Sequence, residues 1–382
     1  MNRREFIKGA ALGVGAGTLG AMGIYSYSPM RRAFLKDAQR GSTDIGMCKA
    51  IRITNISETS WFDNGVLMQD VTSAGGLLVD QYTFNWPPFG NGKGVGKGSY
   101  AEGIKHIKHL LPKKLDEAWE ITREKSVHAD NAGGFSCLIE VEALDGSVTK
   151  YLFDTGWNYV WMDACYKREG IDVMLANNEI KAFIQTHEHM DHYWGLPAVT
   201  KYNPDIPVYI PNTFYPEGKQ YLKDCGHVGK LTEVPKGLHK LENGVALYTF
   251  DCPIIFRVFG ELSMYCNVKD VGLVSITGCC HQGIILFADT AYKELAYEND
   301  QFYGLYGGLH ISPFDDWDPK YDDLVIGLKK WDLQRVGCNH CTGLITAQKF
   351  VDAGYPVVKG TARFRSKTTN YLGNGDVITF PS

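Results

Sequence analysis

The sequence predicts a layered α/β protein, one large domain in which helices cover stacked sheets. Two observations carry this: short β-prone runs alternate with helix-prone ones from residue 137 onward, and 382 residues are more than a minimal domain needs yet short of two full ones. Apolar residues at 44%, with 21 Tyr and 8 Trp, supply an aromatic-rich interior or cleft.

Taken in order, Pro87 to Gly98 is Gly-rich and reads as a surface loop. Ala101 to Trp119 sets Ile104, Ile107, Leu110 and Leu111 at helical spacing, broken by Pro112. Together they mark an insertion around 85–120 in a domain spanning 45–382. Cys137 to Val141 and Tyr151 to Phe153, joined at Asp145-Gly146, predict a hairpin. A helical stretch follows to about Glu169, then a strand from Ile180 to Gln185 and helix-like residues from Trp194 to Tyr202. Strands are expected at Val208 to Ile210, Val245 to Phe250, Leu273 to Thr277, Phe302 to Tyr306 and Val336 to Cys338. Helices are expected at Gly283 to Tyr297, Pro319 to Trp331 and Gly343 to Ala353.

The first 28 residues read as a targeting segment. Arg3-Arg4-Glu5-Phe6-Ile7-Lys8 precedes an uncharged Gly/Ala-rich stretch from Gly9 to about Ile24, and the pattern resembles a twin-arginine export signal, with a cleavage site at Ala21-Met22-Gly23. The competing reading is a membrane anchor, but the glycines dilute the stretch below the roughly 20 strongly apolar residues a span requires. The expected location is therefore periplasmic, reached through the twin-arginine machinery, with no stable membrane insertion once the signal is removed. Arg31-Arg32 repeats the pair without an apolar run behind it and reads as a basic turn. A net charge of −4 offers no basic stripe, so neither nucleic acid nor anionic lipid is an expected partner; a small-molecule substrate is. Ten scattered cysteines form no small-scaffold framework.

The chemistry concentrates at His187, His189, Asp191 and His192, directly after an apolar strand. Three imidazoles and a carboxylate within six residues are the nitrogen and oxygen donors that Zn²⁺ and related divalent ions prefer. Leaving a strand, alternate residues of such a run can converge on one ion while the next pair faces another.

Thr186 to His192 resembles the T-H-x-H-x-D-H signature of the metallo-β-lactamase superfamily, and Asp154-Thr155-Gly156 resembles the D-T-G strand end that precedes it there. Ala132-Gly133-Gly134-Phe135-Ser136, Thr277-Gly278-Cys279-Cys280-His281-Gln282-Gly283-Ile284, Gly307-Gly308-Leu309-His310 and His340-Cys341-Thr342-Gly343 are similar, in order, to blocks of one subgroup. That subgroup holds metal-dependent hydrolases and a dihydropterin ribofuranosylaminobenzene phosphate synthase. The resemblance implies a four-layer αββα sandwich with two divalent ions at one edge, zinc first among them and iron or manganese also compatible.

It further implies that His187 and His189 bind the first ion, that Asp191, His192 and His340 bind the second, and that His281 supplies the remaining ligand. The superfamily's Gly-His-Thr/Ser and Gly-Asp blocks are absent, so Cys279 and His227 stay open as alternatives to His281; buried small hydrophobes are the plain reading of Cys279-Cys280. His310 is a further ligand-supporting donor, a substrate contact or a structural histidine. The expected activity is hydrolysis of a small-molecule ester, phosphoester, lactone or amide. A metal-held water, whose pKa falls from about 15.7 to about 7, would be the nucleophile, and Asp191 would orient it. The rival functions are a mononuclear iron dioxygenase of sulfur compounds, a non-catalytic periplasmic binding protein, and a synthase on a phosphorylated pterin. Trp86, Phe89, Tyr100 and Phe314 to Trp317 are candidates for a cleft wall, with surface packing as their plainer reading.

Overall fold

The computed structural model describes residues 41–58, 133–254, 258–313 and 317–381. The export signal, the second arginine pair, the insertion around 85–120 with Trp86, Phe89 and Tyr100, and Phe314 to Asp316 lie outside the described residues.

The hairpin forms where alternation and turn chemistry coincide. Strands β1 (Thr43–Asp44), β2 (Ala50–Ser57), β3 (Ser136–Glu142) and β4 (Val148–Phe153) come first, with β3 and β4 antiparallel and Gly146 at φ 87 in their turn. Next are α1 (Tyr159–Glu169), α2 (Ile171–Ala176), β5 (Ala182–Ile184), α3 (Met190–Tyr193), α4 (Pro197–Thr200), β6 (Val208–Pro211), α5 (Pro216–Asp224) and β7 (Leu231–Val234). The second half holds β8 (Gly237–Glu242), β9 (Val245–Ile254), β10 (Val258–Val268), β11 (Gly272–Thr277), α6 (Ile284–Glu294), β12 (Leu295–Ala296), β13 (Phe302–Gly308), α7 (Tyr321–Gly327), β14 (Arg335–Asn339), α8 (Leu344–Asp352) and β15 (Val377–Phe380). Asn158 caps α1 by accepting the Val160 and Trp161 amides, and Gly170 ends it at φ 70.

Two sheets result, ordered β15-β2-β3-β4-β5-β6-β7 and β14-β13-β11-β10-β9-β8, beside the small pair β1-β12. Each is mixed: β4 through β7 are parallel, as are β11, β13 and β14, and the rest are antiparallel. Strand alternation assigns the layers. On β3, Cys137, Ile139 and Val141 join a core with Leu262, Met264, Cys266, Val274 and Ile276 of the other sheet. Leu138, with Leu152 and Phe183, instead packs under Trp161, Met162, Tyr166 and Leu175 of α1 and α2. On the far sheet, Phe287 of α6 lies against Tyr265 of β10, ring centroids 5.6 Å apart. Helix, sheet, sheet, helix is the αββα order that the motifs imply.

Several boundaries shift. β5 is confined to Ala182–Ile184 because the next residues leave the sheet. The helix expected from Trp194 to Tyr202 contracts to α4, and the one expected to Tyr297 stops at Glu294, since Leu295 pairs with Thr43. The helix expected over Pro319 to Trp331 is α7 followed by a 3₁₀ turn, Leu328–Trp331. All ten cysteines are free thiols. Trp317 packs edge-on against Tyr321, centroids 5.5 Å apart. No helix of the described residues is long and apolar enough to cross a membrane.

Candidate metal centre

Parallel pairing brings the C-terminal ends of β4 and β5 to one edge, and those of β11, β13 and β14 to another. The run Thr186 to His192 leaves β5 at the first of these edges. The amide and hydroxyl of Thr186 donate to the two oxygens of Asp154, both at 2.7 Å. The Thr186 hydroxyl proton is thereby committed, so its oxygen accepts from Nδ1 of His187 at 2.8 Å. Nε2 of His187 is then a lone pair, buried and without a hydrogen-bond partner. Nδ1 of His192 lies 2.7 Å from Asp154 Oδ2; with the shared proton on Nδ1, its Nε2 also faces the interior as an acceptor.

The backbone of the run is held as firmly. The Gln185 side-chain Nε2 donates to the carbonyls of His187 and His192, and the Phe135 backbone amide donates to that of Asp191 at 2.8 Å. Gly134, at φ 93, admits this approach: a Cβ there would stand 2.2 Å from the Asp191 oxygen.

On the second sheet the organising group is Glu261 of β10, fully buried. Its carboxylate accepts the amides of Cys279, Cys280 and His281 at 3.1, 2.8 and 2.9 Å, and Nδ1–H of His281 at 2.8 Å. Nε2 of His281 is left buried and unpartnered, as in His187. His340 follows β14, and the Phe135 ring lies 5.7 Å from the rings of both His192 and His340. Asp154, Cys280, His310 and His340 take φ values of 57°, 62°, 40° and 47°, conformations that non-glycine residues avoid and that here gather at strand ends around one point.

The side chains converge as two trios. Ligand atoms of His187, His189 and His281 lie within 4.8 Å of one another, and so do those of Asp191, His192 and His340. Rings of His187 and His192, one from each trio, are 4.1 Å apart. Nε2 of His340 stands 3.1 Å from Nε2 of His192 and 3.2 Å from Asp191 Oδ2. With His192 presenting a lone pair, a proton or a cation has to stand between the two rings. Buried imidazole nitrogens without partners, beside a buried carboxylate, are a donor set that fits divalent cations.

His310 and Cys279 adjoin the trios: His310 Nδ1 is 3.2 Å from Cys279 Sγ, and the His281 and His310 rings are 4.5 Å apart. His227 does not join them. Its ring lies 2.7 Å from the Ile206 carbonyl in the turn before β7, and it is grouped with none of the candidate ligands among the described residues.

Electrostatics suits the arrangement. Desolvation first of all pushes His187, His192 and His310 well below the ordinary imidazole range. Burial opposes ionisation of Asp191, but His192, His340 and His189 around it outweigh that and hold it below the usual carboxylate range. Glu261 is held at about 2, burial being outweighed by the His281 ring and the amides. Burial pushes Asp154 up against the pull of the Thr186 amide and hydroxyl.

In the sequence Asp154 stands out only as part of a motif, and Glu261 lies in no motif. The signal for Glu261 was present: it is the one charged residue in Val258–Val268, with no basic partner along the strand.

No family model matches the chain. It is 26% identical over 267 residues to 7,8-dihydropterin-6-methyl-4-(β-D-ribofuranosyl)-aminobenzene-5'-phosphate synthase of Methanocaldococcus jannaschii, covering 57% of this chain and 84% of that protein. Among solved structures, it is similar to Tm1679, a metal-dependent hydrolase of the β-lactamase superfamily, with a TM-score of 0.43 at 22% identity, over 57% of this chain and 85% of that one. It is also similar to YhfI, a metallo-β-lactamase fold protein from Bacillus subtilis, with a TM-score of 0.39 at 12% identity, over 63% of this chain and 90% of that one.

Proposed function

We propose that this chain is a metal-dependent hydrolase of the metallo-β-lactamase superfamily, in which His187, His189 and His281 hold one divalent ion and Asp191, His192 and His340 a second. The observation that carries the reading is the pair of adjacent trios, each within 4.8 Å, with orphaned Nε2 atoms on His187 and His281. Nitrogen and oxygen donors in this ratio favour zinc. Bound there, such ions would supply Lewis acidity and acidify a water at an open position.

The chain's own residues do the rest. Asp154 and Glu261 hold the His192 and His281 rings with Nδ1 outward and Nε2 inward. Asp191, kept ionised beside His340, accepts a proton from an approaching water or turns it toward the substrate. Burial of Thr186, His187 and His192 keeps bulk water from competing. The substrate is a small ester, phosphoester, lactone or amide. Export as a folded protein is part of the same proposal, supported by residues 1–28.

The test is metal analysis of the purified chain, then turnover of phosphodiesters, lactones, thioesters and β-lactams with and without chelator. Chelator-sensitive turnover of one class supports the hydrolase. A loaded protein inactive on all of them favours the binding-protein reading, and predominant iron with oxygen uptake favours the dioxygenase. The similarity to the archaeal synthase motivates a second reading, condensation on a phosphorylated pterin; product formation from such a substrate, without hydrolysis of the panel, would select it.

A further inference from the structure

We propose that the sulfur of Cys279 is a ligand common to both trios, so that the centre is a nitrogen, oxygen and sulfur site in which one thiolate joins the two ions. This rests on the reading that the trios hold metal, and it deepens that reading by naming a shared donor.

The geometry points there from several directions. Sγ of Cys279 lies within 4.8 Å of the ligand atoms of His187 and His192, which belong to different trios. It falls within the same limit of His281 on one side and of His340 on the other. Among the described residues outside the two trios, no other side chain groups with members of both. The turn that delivers it is fixed: its amide is held by Glu261, and Gly278 before it presses so closely on the first sheet that a Cβ would stand 2.6 Å from Thr186 Oγ1 and 2.7 Å from Asp154 Oδ2.

Two donors flank the sulfur. Cys341 Sγ stands 2.8 Å away, and either sulfur of the pair can be the donor. His310 Nδ1 is at 3.2 Å, and its ring can donate as well. Hydrogen bonds of this kind surround metal thiolates and tune their basicity. Ion binding would break the Cys279 S–H bond and form metal–sulfur bonds, the proton leaving to solvent, with no change of oxidation state. A sulfur at the seam selects zinc, cobalt or iron over magnesium and manganese.

The test uses the full chain loaded with Co²⁺ under reducing conditions. The near-ultraviolet sulfur-to-cobalt charge-transfer absorption is expected in the wild type, retained in Cys341→Ser and Cys280→Ser, and lost in Cys279→Ser. Should Cys279→Ser not fold, X-ray absorption at the zinc edge decides. Both Cys341→Ser and Cys280→Ser should keep a sulfur neighbour at about 2.3 Å beside nitrogens at about 2.0–2.1 Å. Two bound ions with only nitrogen and oxygen neighbours would overturn the sulfur ligand and leave the metal centre standing. A Cys279–Cys341 cross-link in the loaded protein overturns the sulfur ligand too. A chain that binds no metal overturns both.

Discussion

The two sheets contribute to the centre by opposite routes. The seven-stranded sheet delivers His187, His189, Asp191 and His192 from one short run behind a single strand, β5. The six-stranded sheet delivers Cys279, His281, His310 and His340 from the ends of three strands, β11, β13 and β14. Yet each half uses one device: a buried carboxylate, Asp154 on the first sheet and Glu261 on the second, grips Nδ1 of an imidazole and aims Nε2 inward. What differs is the distance along the chain over which the pieces are gathered; what recurs is the chemistry that orients a ligand ring.

The largest effect should come from the group that separates ligand from reactant. Asp191→Ala is expected to lower kcat/KM by about 100-fold or more while the fold, followed by circular dichroism, stays intact. Full activity on any substrate found by the screen would remove Asp191 from the mechanism.

The parallel between the carboxylates is tested by Asp154→Asn and Glu261→Gln. Each should weaken metal binding by about 10- to 100-fold in competition with a chromogenic chelator. A loss confined to Asp154→Asn would show that only the first sheet orients its ligands in this way.

Acid should expose the cost of neutral rings. His187, His192 and His310 have folded pKa values below their unfolded ones, so the unfolded chain takes up protons first and stability falls as pH drops below about 6.5. Asp154, raised in the folded state, acts in the opposite sense but is outnumbered. Urea unfolding of the metal-free protein should show a loss of about 1 to 2 kcal/mol between pH 6.5 and 5.5. Unchanged stability would mean the rings are protonated in the folded state.

The smallest effect belongs to a histidine outside the comparison. His227→Ala removes a buried hydrogen bond to Ile206 and should cost about 1 kcal/mol, with metal content unchanged. A drop in bound metal would return His227 to the ligand set.

The sequence by itself determined what is local. Alternation and an Asp-Gly turn placed the β3–β4 hairpin, and the spacing of His187, His189, Asp191 and His192 behind an apolar strand marked a candidate cation site, because direction along a few residues follows from backbone period alone. β10 escaped notice because nearly every one of its residues is buried, which erases the period of two that marks a half-exposed strand, and Glu261 went with it.

Only the tertiary structure decided which distant groups meet. His281, His310 and His340 converge because parallel pairing of β11, β13 and β14 stacks their ends on one edge, and His227, the alternative with no apolar strand leading into it, is left outside it. Pairing partners and the facing of two sheets are set by burial summed over a whole core. No short stretch of sequence carries that sum.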